Sequence, residues 1–378
     1  MQSYPVELLQ SMLQTYSPSG SEQNLADLLH EQMVSHGFKS RKDSVGNVIG
    51  EFGNEGPRIL LCGHMDTVPG EIPVRIEGDL LYGRGAVDAK STLAAMLIGS
   101  FLAKERSNLP FQVTLACVVE EERSSDGVKA VIATGASHDL AVFGEPSGAS
   151  NIVIGYKGGI QLQVICLTKG SHSASPWLSR SSFEEAFEFW KTIRESLLEN
   201  DSSSKFSAVT GCIISATAGD GSNMTPSRTI LELDIRIPPS IQPGHVRDTV
   251  NELAKRYEET HQGVRILIAV KDQSEAFLGS EDSAAVRAFR WAIRKTIGRQ
   301  VALVKKTGTS DMNLFAKSYS IPMIAYGPGD SSLDHTENEH VSLNEYLSSI
   351  EVYANAIQQF ALLARDRNPT SNETRVSS

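Results

Sequence analysis

Short apolar runs alternate with amphipathic helical segments along much of this chain, and that alternation restricts its fold more than any other feature. Residues 57–62, 111–119 and 140–144 read as strands, while 91–104 and 126–134 carry apolar positions at helical spacing. The stretch 5–36 also reads as helix, interrupted near Ser17-Pro18-Ser19-Gly20. Strands separated by helices in this way build a mostly parallel sheet covered on both faces. Ligands of such open sheets gather at the carboxyl ends of the strands.

The pattern changes after Gly155. Residues 160–168, 209–217, 229–237 and 264–270 show partial period-2 alternation, with helices expected at 182–198 and 244–257. Two helices and about four strands in this order suggest a compact α+β unit inserted into the first domain. From about residue 272 the earlier character returns, with a helix at 281–297, a strand at 321–325 and a helix at 343–364. The expected fold class is therefore α/β, a mostly parallel sheet flanked by helices, carrying an inserted α+β domain. In residue numbers, 1–157 and 272–364 form one discontinuous domain, 158–271 the insert, and 365–378 a polar tail expected to be disordered. Two domains also suit a length of 378 residues.

The net charge of −10 makes nucleic acid an unexpected partner, since phosphate binding needs a basic face. No apolar run approaches the ~18–20 residues of a membrane span. The opening MQSYPVELLQ lacks the basic flank and apolar stretch of a secretory signal, so the cytoplasm is the expected compartment. Cys62, Cys117, Cys166 and Cys212 lie in separate apolar segments with no close pairs. That spacing argues against a thiolate metal site or a disulfide framework, and all four read as buried small hydrophobes.

Polar groups recur where the strands end. In LLCGHMDTVPG, residues 60–70, an apolar run closes on His64 and Asp66. Side chains at i and i+2 of an extended segment point the same way, which makes the pair a candidate ligand and its orienting carboxylate. Asp88 sits in the Gly-rich YGRGAVDAK, which lacks the G-x-G-x-x-G order of a dinucleotide-binding loop. A run of acids such as Glu120, Glu121 and Glu122 is usually a solvated face. Here it follows directly on VTLACVV, so at least one acid sits at a buried strand terminus and needs a cation. Glu145 ends the next strand, and His335 and His340 follow a later apolar run. Two imidazoles and several carboxylates on one rim suit Zn²⁺, Co²⁺ or Mn²⁺ better than Mg²⁺ or Ca²⁺, which prefer all-oxygen shells.

The motifs GHMDTVP, GRGAVDAK, EEERSSDG, GEPS, KGSHSASP, SNMTP, LDIR, GTSD and DHTENE follow one another in this order. The ordered set resembles the M20 family of metallopeptidases and amidohydrolases, and the likeness runs across nearly the whole chain, including the inserted lid. The resemblance implies an amide hydrolase with two divalent ions, zinc first among them. His64 would bind one ion with Asp66 orienting it, and Asp88 would bridge both. Glu122 would bind the second ion and Glu145 the ion shared with His64. His335, four residues before Glu339, would complete the site and leave His340 outside it. Glu121 would be the general base and the lid residue His172 would stabilise the oxyanion. Asn223, Arg236, Gly308 and Thr309 would bind substrate. In extended chain Glu121 and Glu122 would face opposite ways, one toward metal and one toward water. Two positions depart from the family pattern: Glu120, where Asp is common, and Ser91, where Gly follows Lys90.

Within the family, KKTGTSDMNLFA and YGPGDSSLDHTENEH look most like enzymes that release lysine or ornithine from an acidic amino-group carrier protein in lysine and arginine biosynthesis. An enzyme of net charge −10 meeting an acidic protein needs a local positive rim, for which Lys157, Arg180, Arg228, Lys305 and Lys306 are the expected residues. The alternatives are an N-acetyl-ornithine or N-acyl-amino-acid deacetylase, a succinyl-diaminopimelate desuccinylase, a dipeptidase, or a catalytically silent binding protein on the same scaffold. Family likeness also leads to the expectation of a homodimer formed through the lid.

Overall fold

A computed structural model of the chain describes residues 3–219 and 221–367. These form two compact units. The first comprises the described residues up to Ile154, Gly279–Val304, and those from Leu314 onward; the second comprises Gly155–Leu278 and Lys305–Asn313. The second unit is thus wider than the 158–271 drawn from sequence and takes in a later segment.

The first unit is organised by a sheet in which Arg58–His64 runs parallel to Gln112–Val118 on one side and to Leu140–Gly144 on the other. Met323–Ala325 extends the parallel set beside Leu140–Gly144. Val48–Phe52 and Lys39–Lys42 add antiparallel strands at the opposite edge. Arg58–His64 is buried from Ile59 onward, so the side chains on both of its faces are covered, which explains its unbroken apolar sequence: no polar side is left to alternate with. Because these central strands are parallel, the residues that follow His64, Val118 and Gly144 emerge along one edge.

The helix Lys90–Arg106 is buried on every side from Lys90 to Ser100, and it packs against Leu343–Arg367. Their approach depends on Gly99. A β-carbon there would lie 2.5 Å from Tyr353 Cβ and 2.8 Å from the Ile350 carbonyl oxygen. Lys90 is also fully buried, and its Nζ donates to the carbonyls of Met12 and Thr15 at 3.1 and 2.8 Å, closing the end of the helix Tyr4–Gln14.

The second unit is an antiparallel sheet in the order Thr210–Ala218, Arg228–Ile237, Gly158–Leu167, Arg265–Ser274. Arg228–Ile237 alternates buried and less buried residues along its length, as a strand with one core-facing side must. Its inner side packs with Phe189 and Trp190 of the helix Ser182–Leu197 and with Val246, Val250 and Tyr257 of Pro243–Thr260.

Two further expectations change. Cys62, Cys117 and Cys166 are buried, but Cys212 is exposed because Thr210–Ala218 is an edge strand with a largely open face. The last helix runs on through Arg367, so 365–367 are helical rather than a disordered tail; the rest of that tail lies outside the described residues. Several strands carry no clear periodic mark in the sequence, among them Lys39–Lys42, Val48–Phe52, Asn151–Tyr156 and Ala302–Lys306. No helix among the described residues is long and apolar enough to cross a membrane.

Gly99 provides a direct check on the packing. Replacing it with alanine would gain up to about 1 kcal/mol of helix propensity. The overlap with a neighbouring backbone carbonyl, which cannot rotate away, costs about 1–3 kcal/mol by overpacking. Gly99→Ala is expected to lower the urea midpoint, and an unchanged or raised midpoint would refute this account of the helix pair.

Candidate metal centre

His64 ends its strand almost wholly buried. Its Nδ1 donates to the Asp66 carbonyl at 2.9 Å, which leaves Nε2 facing Asp88 Oδ1 at 3.1 Å. Asp88 enters from the turn ahead of the helix Lys90–Arg106. Its other oxygen, Oδ2, lies 3.2 Å from His335 Nε2, and that nitrogen lies 2.8 Å from Glu122 Oε1. One donor atom each from His64, Asp88 and Glu145 fall within 4.8 Å of one another, and so do donors from Asp88, Glu122 and His335. All five groups belong to the first unit.

Two triads that share one carboxylate, each with a single imidazole, fit a pair of borderline divalent cations. Their charges already demand compensation. Burial alone would lower the His64 pKa, but its bonds to Asp66 and Asp88 outweigh that and hold it well above the ordinary value. The carboxylates of Asp88 and Glu122 push His335 up to about 10. Burial would raise Asp88, yet His335 and His64 together hold it well below the usual carboxylate range. Three acids and two imidazoles so arranged call for positive charge among them, carried by protons or by metal ions.

Asp66 meets more than His64. The imidazole of His64 is held by the Asp66 main-chain carbonyl, with the nearest carboxylate oxygen further off at 3.5 Å. The carboxylate also accepts the N–H groups of Glu121 and Glu122 at 3.0 and 3.1 Å and the hydroxyl of Ser19 at 2.7 Å. It grips the turn that carries both acids. That turn also corrects the expectation that Glu121 and Glu122 face opposite ways along an extended strand. The strand stops at Val118, and Glu120 takes a left-handed φ of 55°. The Glu120 carbonyl then accepts from the N–H groups of Arg123, Ser124 and Ser125, so the acids sit half-buried in a tight turn.

Sequence reasoning missed Ser19, Arg84 and the part played by Glu339. Glu339 is buried; its Oε1 accepts the N–H groups of Val87 and Asp88 at 2.9 and 3.1 Å, and its Oε2 accepts from Arg84 Nη1 at 2.8 Å. An arginine inside a Gly-rich run, and an acid four residues beyond a candidate ligand histidine, are the available signals. His340 lies outside the cluster, against the Tyr82 ring, with Nδ1 donating to the Asn338 carbonyl.

The other expected residues belong to the second unit. His172 and Asn223 are exposed neighbours, joined where Ser173 N–H donates to the Asn223 carbonyl at 2.8 Å. His172 Nδ1 accepts from Ala174 N–H at 3.1 Å. Arg236 is brought to Thr309, donating from Nη1 to its hydroxyl at 3.2 Å, while Nε and Nη2 donate to Asp234. Gly308 is exposed, with open space where a side chain would stand. The expected positive rim loses members. Lys157 is fully buried, and its Nζ donates to the carbonyls of Lys205 and Ala208 and to the Thr210 hydroxyl. Arg180 is paired with Glu185 at 2.6 Å. Arg228 and Lys305 remain exposed and Lys306 half-buried.

Residues 60–359 match the profile of peptidase family M20/M25/M40. A Pyrococcus abyssi protein provisionally named LysW-lysine/LysW-ornithine hydrolase is 35% identical over 352 residues, 93% of each chain. A Deinococcus radiodurans LysW-lysine hydrolase is 33% identical over 359 residues, 93% of this chain and 95% of its own. The crystal structure of an M20 family metallo-carboxypeptidase from Sulfolobus solfataricus shares the fold, with a TM-score of 0.79 at 19% identity, over 96% of this chain and 100% of that one.

Proposed function

Because the chain belongs to peptidase family M20/M25/M40, we propose that this metallohydrolase cleaves the amide joining lysine or ornithine to an amino-group carrier protein of the LysW kind. The two donor triads meeting at Asp88 carry the reaction class, and the names of full-length relatives carry the substrate.

His64, Asp88 and Glu145 would hold one ion, and Asp88, Glu122 and His335 the other. Zn²⁺ is the metal we propose; Co²⁺ and Mn²⁺ suit the same donors. Such ions supply Lewis acidity, making water more acidic and polarising the scissile carbonyl. Glu121, anchored through its own N–H to Asp66, takes the proton of the attacking water and returns it to the departing amine. His172 acts as a donor to the developing oxyanion: with Nδ1 accepting from Ala174, the neutral ring carries its proton on Nε2. Arg236, oriented by Asp234 and Thr309, offers its guanidinium to the amino-acid carboxylate, and Asn223 and Gly308 complete the substrate contacts. Under this reading the reaction belongs to the cytoplasm, an assignment supported only by the biosynthetic kind of substrate proposed.

Glu121→Gln tests this assignment of the base. Metal content should stay at the wild-type level while kcat/KM falls by about 10²–10⁴, the usual worth of a positioned general base. Full activity in that variant would defeat the mechanism.

A second reading is favoured by one observation: burial of Lys157 and pairing of Arg180 remove two cations from the expected rim, which suits a small N-acyl-lysine or N-acyl-ornithine substrate better than an acidic protein. Salt separates the two. Cleavage of a carrier–lysine conjugate should slow steeply between low and physiological ionic strength, while N-acetyl-lysine cleavage holds steady. Equal salt responses would favour the small substrate.

The second unit is also proposed to pair with its copy in a homodimer. The support is apolar exposure: Trp177 at 78%, Leu178 at 72% and Ile214 at 54%, with Phe183, Phe187 and Met224 exposed as well. Light scattering should return twice the chain mass of 41.0 kDa, and a monomer at micromolar concentration would exclude the pairing.

A further inference from the structure

Three loops meet at one guanidinium. Arg84 donates from Nε to the Gly70 carbonyl at 2.9 Å, four residues past Asp66. It donates from Nη1 to the Thr336 carbonyl at 3.0 Å, directly after His335, and to Glu339 Oε2 at 2.8 Å. Glu339 turns its other oxygen to two consecutive N–H groups, Val87 at 2.9 Å and Asp88 at 3.1 Å. Side-chain exposure is 7% for Arg84 and 1% for Glu339. Holding both of those N–H groups with one oxygen orients the peptide that leads into Asp88, and with it the direction of the Asp88 side chain. The backbone between Arg84 and Asp88 can turn this sharply because Gly85 adopts φ +88°, where a β-carbon would meet Lys90 Cδ at 2.9 Å.

We infer that Arg84 and Glu339 form a buried clamp that positions Asp88 and the His335 loop, and thereby sets the affinity for both ions. The inference rests on the metal-centre reading above. Neither residue is among the ion's donors, so both are positioning residues. Stability alone does not account for the pair: against well-packed apolar residues of similar volume, a buried ion pair is often neutral or worse. Its geometric consequence is different in kind. Asp88 belongs to both donor triads and Thr336 adjoins a ligand of one, so loosening the clamp should weaken the two ions together.

The test is Zn²⁺ affinity, measured by competition with a chelator on the full chain, beside the thermal midpoint of the metal-free protein. Glu339→Gln keeps the size of the side chain and one acceptor, but turns an amide N–H₂ toward groups that are themselves donors. Its Zn²⁺ affinity should fall about 10–100-fold, the usual cost of losing an outer-shell partner. Arg84→Lys keeps a buried cation without the fork that reaches three acceptors, and should move affinity in the same direction by at least tenfold. Ile293→Ala, a fully buried core change elsewhere in the first unit, should lower the midpoint comparably and leave affinity unchanged. Wild-type affinity in Glu339→Gln overturns the clamp. So does an equal loss in Ile293→Ala, which would mark general softening of the unit. If Glu339→Gln does not fold, Arg84→Lys decides on the same criterion. Failure of the wild-type chain itself to bind Zn²⁺ would sink the metal-centre reading, and that outcome is told apart because it needs no variant.

Discussion

Three carboxylates held against two imidazoles cannot share a partly dry pocket without compensating positive charge. The first unit is arranged around that requirement. Asp88 is its pivot: one oxygen faces His64 and the other faces His335. Metal ions would satisfy such a set better than protons, because each ion could draw on a nitrogen and two carboxylates at once. A group of like charges this dense persists only where the backbone holding it is itself well fastened.

Fastening comes from buried charged side chains turned onto main-chain groups. Asp66 holds the N–H groups of Glu121 and Glu122, and Glu339 holds those of Val87 and Asp88. Lys90 holds the carbonyls of Met12 and Thr15, and in the second unit Lys157 does the same for Lys205 and Ala208. Turns at the ends of strands leave N–H and C=O groups without sheet partners, and burying those groups unpaired costs about 1–3 kcal/mol each. A charged side chain that satisfies several of them answers that cost and its own desolvation together. The same bonds orient the turns that carry the candidate donors, so stability of the loops and geometry of the site have one physical source.

Periodicity made the large elements legible. The strand at 140–144 and the helix at 126–134 come within a residue of Leu140–Gly144 and Asp126–Ala133, since both carry their burial pattern in adjacent residues. Lys39–Lys42 was invisible because KSRK is a polar edge strand that buries little. Cys212 looked like a core residue from its apolar neighbours, yet its strand lies at a sheet edge. Lys157 looked like a surface cation, and only its acceptors on residues 205–210 explain why it is buried. The adjacent Glu121 and Glu122 suggested an extended strand end, whereas the left-handed Glu120 folds them into a turn.

By itself the sequence determined the class of fold and the chemical kinds of donor available, because apolar spacing and residue identity are local properties. It also placed those donors after strands, where a parallel sheet gathers its loops. Tertiary structure decided which atom meets which: that Asp88 is shared by two triads, that the Asp66 carbonyl lies nearer His64 than its carboxylate does, and that Glu339 reaches back across 252 residues to Val87. Such pairings depend on how distant loops come together in space, and a contact set by the packing of a whole sheet and its helices leaves no periodic mark on the residues that make it.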